Sequence, residues 1–156
     1  MTEQTRGGDK PAFEPQLSAA STPAPFSPTA YFYVGFFVGF LALAYVAIQN
    51  LNRFPRIQSL RERTFALLAA TGIGLLVALL VLPIDVLEGS PRIPPRIAAV
   101  LASIALYRFH RGPALGGANR YGGEYTSAWK AIGPIIALSL LQGIVTYVLI
   151  RSRGAL

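Results

Sequence analysis

The chain has no cysteine, few charges and one histidine. Without cysteine, disulfides, thiolate metal sites and cysteine nucleophiles are excluded. His110 alone cannot build a metal site, so we predict neither a metal nor a cofactor. Charged residues are 13% of the 156 residues, well below the share in a soluble domain, while 53% are hydrophobic. This balance is typical of an integral membrane protein.

Three runs free of charge are long enough to cross a bilayer, namely residues 30–49, 64–84 and 131–150. A helix of twenty residues is about 30 Å long, which matches the hydrocarbon core of a membrane. Tyr31 and Tyr33 stand at one end of the first run, where interfacial aromatic residues are expected. We therefore predict a transmembrane helix for each run.

A fourth run, over residues 93–107, is ambiguous. Arg96 and Arg108 enclose an apolar stretch of only about 17 Å of helix, which is short for a span. Snorkelling arginines would lengthen it. The prediction is an all-α polytopic protein with four transmembrane helices, the third one short, in a helical domain over residues 30–156. A re-entrant or interfacial helix is the alternative for the third.

The first 29 residues are rich in proline, serine, threonine and alanine, and we predict a disordered tail. Four spans would place eight basic loop residues on one side and six on the other. The positive-inside rule then puts the side with eight in the cytoplasm and both termini outside it. We predict a bacterial inner membrane protein whose net charge of +7 meets anionic lipid headgroups, not nucleic acid.

Basic residues at the ends of the apolar runs are predicted to contact headgroups and to fix the topology. The set comprises Arg53, Arg56, Arg61, Arg63, Arg108, His110 and Arg111.

Small and polar residues inside the runs predict helix packing. Gly35 and Gly39 form a GxxxG, which permits close approach of a second backbone, either within the chain or in a dimer. We favour packing within the chain, and extend this to Gly72 and Gly74. On the last run, offsets of three, four and seven place four residues on one face: Ser139, Gln142, Gly143 and Thr146. Gln142 lies near the middle of the run, so this face should pack against protein, and we favour interhelical hydrogen bonding over the alternative of a polar ligand contact.

Asn50 lies at the end of the first run, next to Gln49 and ahead of a proline and several arginines. A helix end at the membrane surface explains the group as a whole. Asn50 itself also remains a candidate polar site.

The stretch from Val34 to Arg56, "VGFFVGFLALAYVAIQNLNRFPR", resembles the first helix of a loose group of uncharacterised small bacterial polytopic membrane proteins. The matching positions are Gly39, Tyr45, Asn50, Leu82-Pro83 and Ser127-Ala128-Trp129, within residues 31–150. The chain lacks the early proline often seen in that first helix. The resemblance implies a topology and carries no catalytic residue, since the group has no assigned activity.

No Asp, Glu, Lys, Arg or His lies within the cores of the predicted spans. Such residues mark proton relays and ion pathways, so pumps are disfavoured, and a lipid-acting enzyme is disfavoured too. We predict a non-enzymatic accessory, scaffold or assembly subunit that binds other membrane subunits or itself. The alternative is a small oligomeric transporter or channel with Asn50 and Gln142 along its path.

Overall fold

A computed structural model describes residues 24–54, 57–120 and 125–154. The tail predicted to be disordered lies outside these residues up to position 23, as does Arg56. The described secondary structure is helical, apart from one isolated bridge between Phe26 and Thr126. The helices are α1 Ala30–Phe37, α2 Phe40–Arg53, α3 Gln58–Val81, α4 Ile84–Gly89, α5 Ile93–Arg120 and α6 Ile132–Gly154, with a 3₁₀ turn at Ala128–Ala131 ahead of α6.

Three long helices, α3, α5 and α6, form the frame of the bundle, and α5 runs antiparallel to the other two. At one end, Thr64 of α3 bonds to His110 of α5, and we call this the His110 end. At the other end, Arg153 of α6 donates to the carbonyl oxygens of Leu79 and Leu82, at 2.7 and 2.9 Å. Residues 82–93 turn the chain there, so we call it the Arg92 end.

Two helical segments are long and apolar enough to cross a membrane, Gln58–Val81 and Ala128–Arg153. They correspond to the second and fourth predicted spans. The third predicted helix is present but longer than expected, because α5 continues from Ile93 to Arg120. At about 42 Å, α5 extends well past Arg108, the arginine that bounds the predicted helix.

The continuous helix predicted over residues 30–49 is wrong. The chain leaves α1 at Phe37 and starts α2 at Phe40. A continuous helix would separate Tyr31 from Asn50 by about 28 Å along its axis, yet their side chains are hydrogen-bonded at 2.7 Å. Residues 30–53 therefore fold back on themselves, and we call them the hairpin.

Gly39 makes the reversal possible. Its φ of 118° and ψ of −172° lie in a region that is open to glycine and closed to residues with a side chain. The amides of Val38 and Gly39 both donate to the carbonyl of Val34, which closes the end of α1. Gly35 and Gly39 thus do not form one GxxxG seam, because the helix ends between them.

The main core lies between the hairpin and the long helices. Leu43, Val46 and Ala47 of α2 and Leu106 of α5 have no exposed surface. Phe26 is also buried, so the six residues before α1 pack against the bundle, contrary to the predicted disorder up to residue 29. The hairpin is thus the centre of the fold, whereas α3 and α6 present large apolar side chains outward.

Candidate functional site

Two polar residues of α6 meet the tip of the hairpin. The Leu41 amide donates to Oε1 of Gln142 at 2.8 Å, and Oγ of Ser139 donates to the Val38 carbonyl at 3.1 Å. A break inside a helix frees backbone donors and acceptors that are costly in a dry environment. Ser139 and Gln142 are three residues apart on α6. Ser139 donates to the last carbonyl before the break, and Gln142 accepts from an amide after it. Ser139 and Gln142 thus contact the hairpin within the chain, and their partners are backbone atoms rather than side chains.

A buried polar cluster lies at the His110 end, made of Tyr31, Asn50, Thr64 and His110. All four side chains have no exposed surface, and they come from α1, α2, α3 and α5. Asn50 also binds the segment before α1, since its Oδ1 accepts from the Phe26 amide at 2.7 Å and its Nδ2 donates to the Phe26 carbonyl at 3.2 Å. The cluster joins both arms of the hairpin to α3 and α5.

The donor directions within the cluster follow from the chemistry of Asn50. An amide nitrogen can only donate, so the Tyr31 oxygen accepts from Nδ2 of Asn50 and directs its own proton to Nδ1 of His110. The proton of the neutral ring then lies on Nε2, which is 2.9 Å from the Thr64 hydroxyl oxygen and donates to it. One tautomer of His110 therefore satisfies all four members.

His110 is neutral in this setting. It lies beyond the predicted span of residues 93–107, yet burial among rings lowers its pKa to about 4. The rings of Tyr31 and Phe54 contact it edge to face, with centroids at 5.4 and 5.2 Å. The predicted headgroup contact of His110 is wrong, because the side chain is enclosed by the bundle.

The predicted headgroup arginines have different environments. Arg53 stacks over the Phe26 ring at 4.1 Å and donates to the carbonyl of Ala24 at 3.0 Å, so it holds the segment before α1. Four others have exposed side chains at or near the His110 end, and headgroup contact stays a prediction for them: Arg61, Arg63, Arg108 and Arg111.

The glycines predicted to pack separate into two groups. A Cβ on Gly35 would lie 3.0 Å from the Ala99 carbonyl oxygen, so α1 approaches α5 closely there, and Gly72 faces the ring of Phe40 at contact distance. For Gly74 and Gly143 a Cβ would meet nothing within 4 Å, so the predicted packing within the chain is wrong for both. Thr146 is buried, in agreement with its predicted position on the inner face of α6.

The cluster fits a structural role more closely than a chemical one. Asn50 contacts Tyr31 and Phe26, whereas Gln142 contacts the hairpin tip, so the two residues do not line one path within the chain. Among the described residues, no three His, Asp or Glu side chains converge to hold a metal ion.

Sequence reasoning placed Tyr31 at the membrane surface and gave Thr64 no role. The sequence did contain a signal for the contacts of Tyr31 and Thr64. Both residues lie near the ends of apolar runs, as the single histidine does, and a buried histidine needs polar partners of this kind.

No family model, curated protein or solved structure matches the chain.

Proposed function

We propose that this chain is a non-enzymatic integral protein of a bacterial inner membrane, acting as an accessory, scaffold or assembly subunit. One observation carries the proposal: every buried side-chain nitrogen and oxygen atom in the described parts of the chain already has a hydrogen-bond partner. The cluster around His110 is thus engaged in holding the hairpin, and buried Ser103 bonds within its own helix. This favours a structural role over catalysis or conduction, which need polar groups directed at a substrate.

The outward faces of α3 and α6 support a membrane location and a role in association. Only 17% of the apolar window of α3 and 11% of that of α6 is buried within the chain. Exposed apolar faces of this extent are covered by lipid or by other helices.

The hairpin changes the topology that we propose. If α3, α5 and α6 cross the membrane and the hairpin does not, the tail and both basic loops share one side. That side holds ten basic residues: Arg6, Lys10, Arg53, Arg56, Arg61, Arg63, Arg108, Arg111, Arg120 and Lys130. The opposite side holds four: Arg92, Arg96, Arg151 and Arg153. This asymmetry is larger than with four spans, and by the positive-inside rule it favours a cytoplasmic His110 end.

In this arrangement residue 24 is cytoplasmic and residue 154 lies on the far side of the membrane. The expectation that both ends of the chain lie outside the cytoplasm depended on a first helix that crosses the membrane. Residues 30–53 fold back on themselves instead.

The function is tested by purifying the tagged full-length chain from gently solubilised membranes and measuring its native mass. We expect a stable oligomer or a copurifying membrane subunit in fixed ratio. Val145→Trp on the outer face of α6 or Ile73→Trp on the outer face of α3 should reduce that association, and Leu115→Trp, an exposed position of α5 beyond His110, is the control. A strictly monomeric chain without a partner would overturn the proposal.

A further inference from the structure

A groove of about 500 Å³ opens at the Arg92 end between the hairpin tip, the start of α5 and the outer half of α6. We call it the α5–α6 groove. This volume lies within the range of ligand sites, about 300–1,000 Å³. Its lining combines two cations, Arg92 and Arg96, with the amide of Gln142 and an apolar wall that includes Phe37, Leu140 and Ile144.

The charge of the groove has one sign. Arg92 and Arg96 are one helical turn apart, and both are exposed. No carboxylate lines the groove, and the first turn of α5 contains no acidic residue. Two guanidinium groups in one site with no neighbouring carboxylate favour the binding of a phosphate. Each guanidinium can bind a phosphate through two parallel hydrogen bonds.

The side chains, not the helix terminus, supply the donors. Pro94 and Pro95 have no amide hydrogen, and the amides of Ile93 and Arg96 already donate to the Ser90 and Arg92 carbonyls. The prolines also fix the backbone that carries the two arginines, which reduces the ordering cost of binding.

The remaining wall fits a lipid better than a soluble anion. Phe37, Leu140 and Ile144 have exposed side chains, and they line the groove towards the hairpin tip. A free phosphate bound by the arginines would leave these apolar side chains uncovered. Gln142 lines the groove but is engaged at the hairpin tip, where its Oε1 accepts from the Leu41 amide and its Nε2 lies close to Gly39.

We propose that the α5–α6 groove binds one anionic phospholipid, with its phosphate between Arg92 and Arg96 and an acyl chain along Phe37, Leu140 and Ile144. The inference rests on the membrane location in the proposed function. With the proposed topology, this lipid belongs to the leaflet opposite the cytoplasm.

The test uses the full-length chain in neutral detergent, with phosphatidylglycerol or phosphatidylcholine added and native mass spectrometry as the readout. We expect one tightly held phosphatidylglycerol per chain and at least tenfold weaker retention of phosphatidylcholine. Arg92→Gln with Arg96→Gln should weaken phosphatidylglycerol binding at least tenfold. Arg108→Gln with Arg111→Gln removes the same charge at the other end of α5 and should change binding less than twofold.

Two more variants keep the result interpretable if the double glutamine variant folds poorly. Arg92→Lys with Arg96→Lys retains the charge and should retain part of the binding. Ile144→Trp fills the apolar wall without a charge change and should weaken lipid binding while leaving the circular dichroism spectrum unchanged.

Equal loss in both double glutamine variants, or no preference for phosphatidylglycerol, would overturn the inference. Displacement of the lipid by millimolar inorganic phosphate would overturn it too, as would a second chain in the groove, seen as a dimer that Ile144→Trp dissociates. If a partner subunit copurifies and no lipid is retained, the proposed function stands and this inference fails.

Discussion

The carboxamide of Asn50 donates to the phenolic oxygen of Tyr31 at 2.7 Å, across a reversal of the chain at Gly39. The same carboxamide makes two bonds to the backbone of Phe26. One side chain therefore holds both arms of the hairpin and the segment that leads into it. The following predictions test this arrangement.

Asn50→Ala should destabilise the protein by at least about 2 kcal/mol, because it leaves the Phe26 backbone and the Tyr31 hydroxyl with unmade bonds in a buried place. Asn52→Ala removes the same group two residues later on an exposed position and is the control. Thermal unfolding in detergent measures both. Equal midpoints for the two variants would show that Asn50 merely ends a helix.

Gly39→Ala should cost about 1–3 kcal/mol, because alanine is strained at a φ of 118°. Its Cβ would also lie 2.7 Å from Nε2 of Gln142. Gly143→Ala makes the same change in a helix with open space around it, and its stability should stay the same or rise slightly. The difference in unfolding midpoint between the two alanine variants is the measurement, and no difference would contradict the reversal at Gly39.

Gln142→Leu should destabilise the chain by about 1–2 kcal/mol, since the Leu41 amide loses its acceptor at the hairpin tip. Gln49→Leu changes the same residue type near the end of α2, outside the break, and should have a smaller effect. Protease resistance and unfolding midpoint report the change. A larger loss of stability for Gln49→Leu than for Gln142→Leu would show that α6 does not stabilise the break through Gln142.

Acid should destabilise the fold through His110. Its pKa is about 4 when folded and 6.5 in the exposed chain, so the unfolded state binds the proton more tightly. The stability contribution is complete above pH 6.5 and falls as the pH drops towards 4, by about 3 kcal/mol.

His110→Gln is the control for the acid prediction, because glutamine offers one acceptor and one donor without titrating near neutrality. Unfolding midpoints at pH 7.5 and 4.5 should differ less in His110→Gln than in the parent chain. The same pH dependence in both proteins would assign the acid sensitivity to other groups.

Single cysteines can locate the sides of the membrane, because the chain has no cysteine of its own. Thr29→Cys lies just before the hairpin and Asn52→Cys near its last residue, and we expect an impermeant thiol reagent to label both only from the cytoplasmic side. Ser152→Cys should react only from the opposite side. A continuous first span would instead place Thr29 and Asn52 on opposite sides, so opposite labelling of these two positions would reject the hairpin.

The sequence was sufficient to predict α3 and α6, because long apolar runs bounded by charges or proline have few alternatives to a single long helix. It was insufficient to predict the hairpin. A glycine in an apolar run is common in straight membrane helices, so Gly39 gave no sign that its φ would be positive. The polar face of Ser139 and Gln142 predicted a protein partner, but the partner is a backbone break that only the tertiary structure reveals.

The cluster at the His110 end was missed for a related reason. Considered alone, each member resembles an ordinary residue at the end of a membrane helix. Tyrosine, asparagine and histidine are all common at such ends. Their meeting depends on the chain reversal, which brings residues 19 and 79 positions apart into contact.

The bond between Leu41 and Gln142 spans 101 residues, and this has a consequence for the order of biogenesis. Synthesis at about 5–20 residues per second separates the two groups by roughly 5–20 s. During that interval the break at the hairpin tip has no α6 to satisfy it, and lipid offers no substitute. We therefore expect the hairpin to wait at the membrane surface or in the insertion machinery and to enter the bundle last, when translation of α6 is complete.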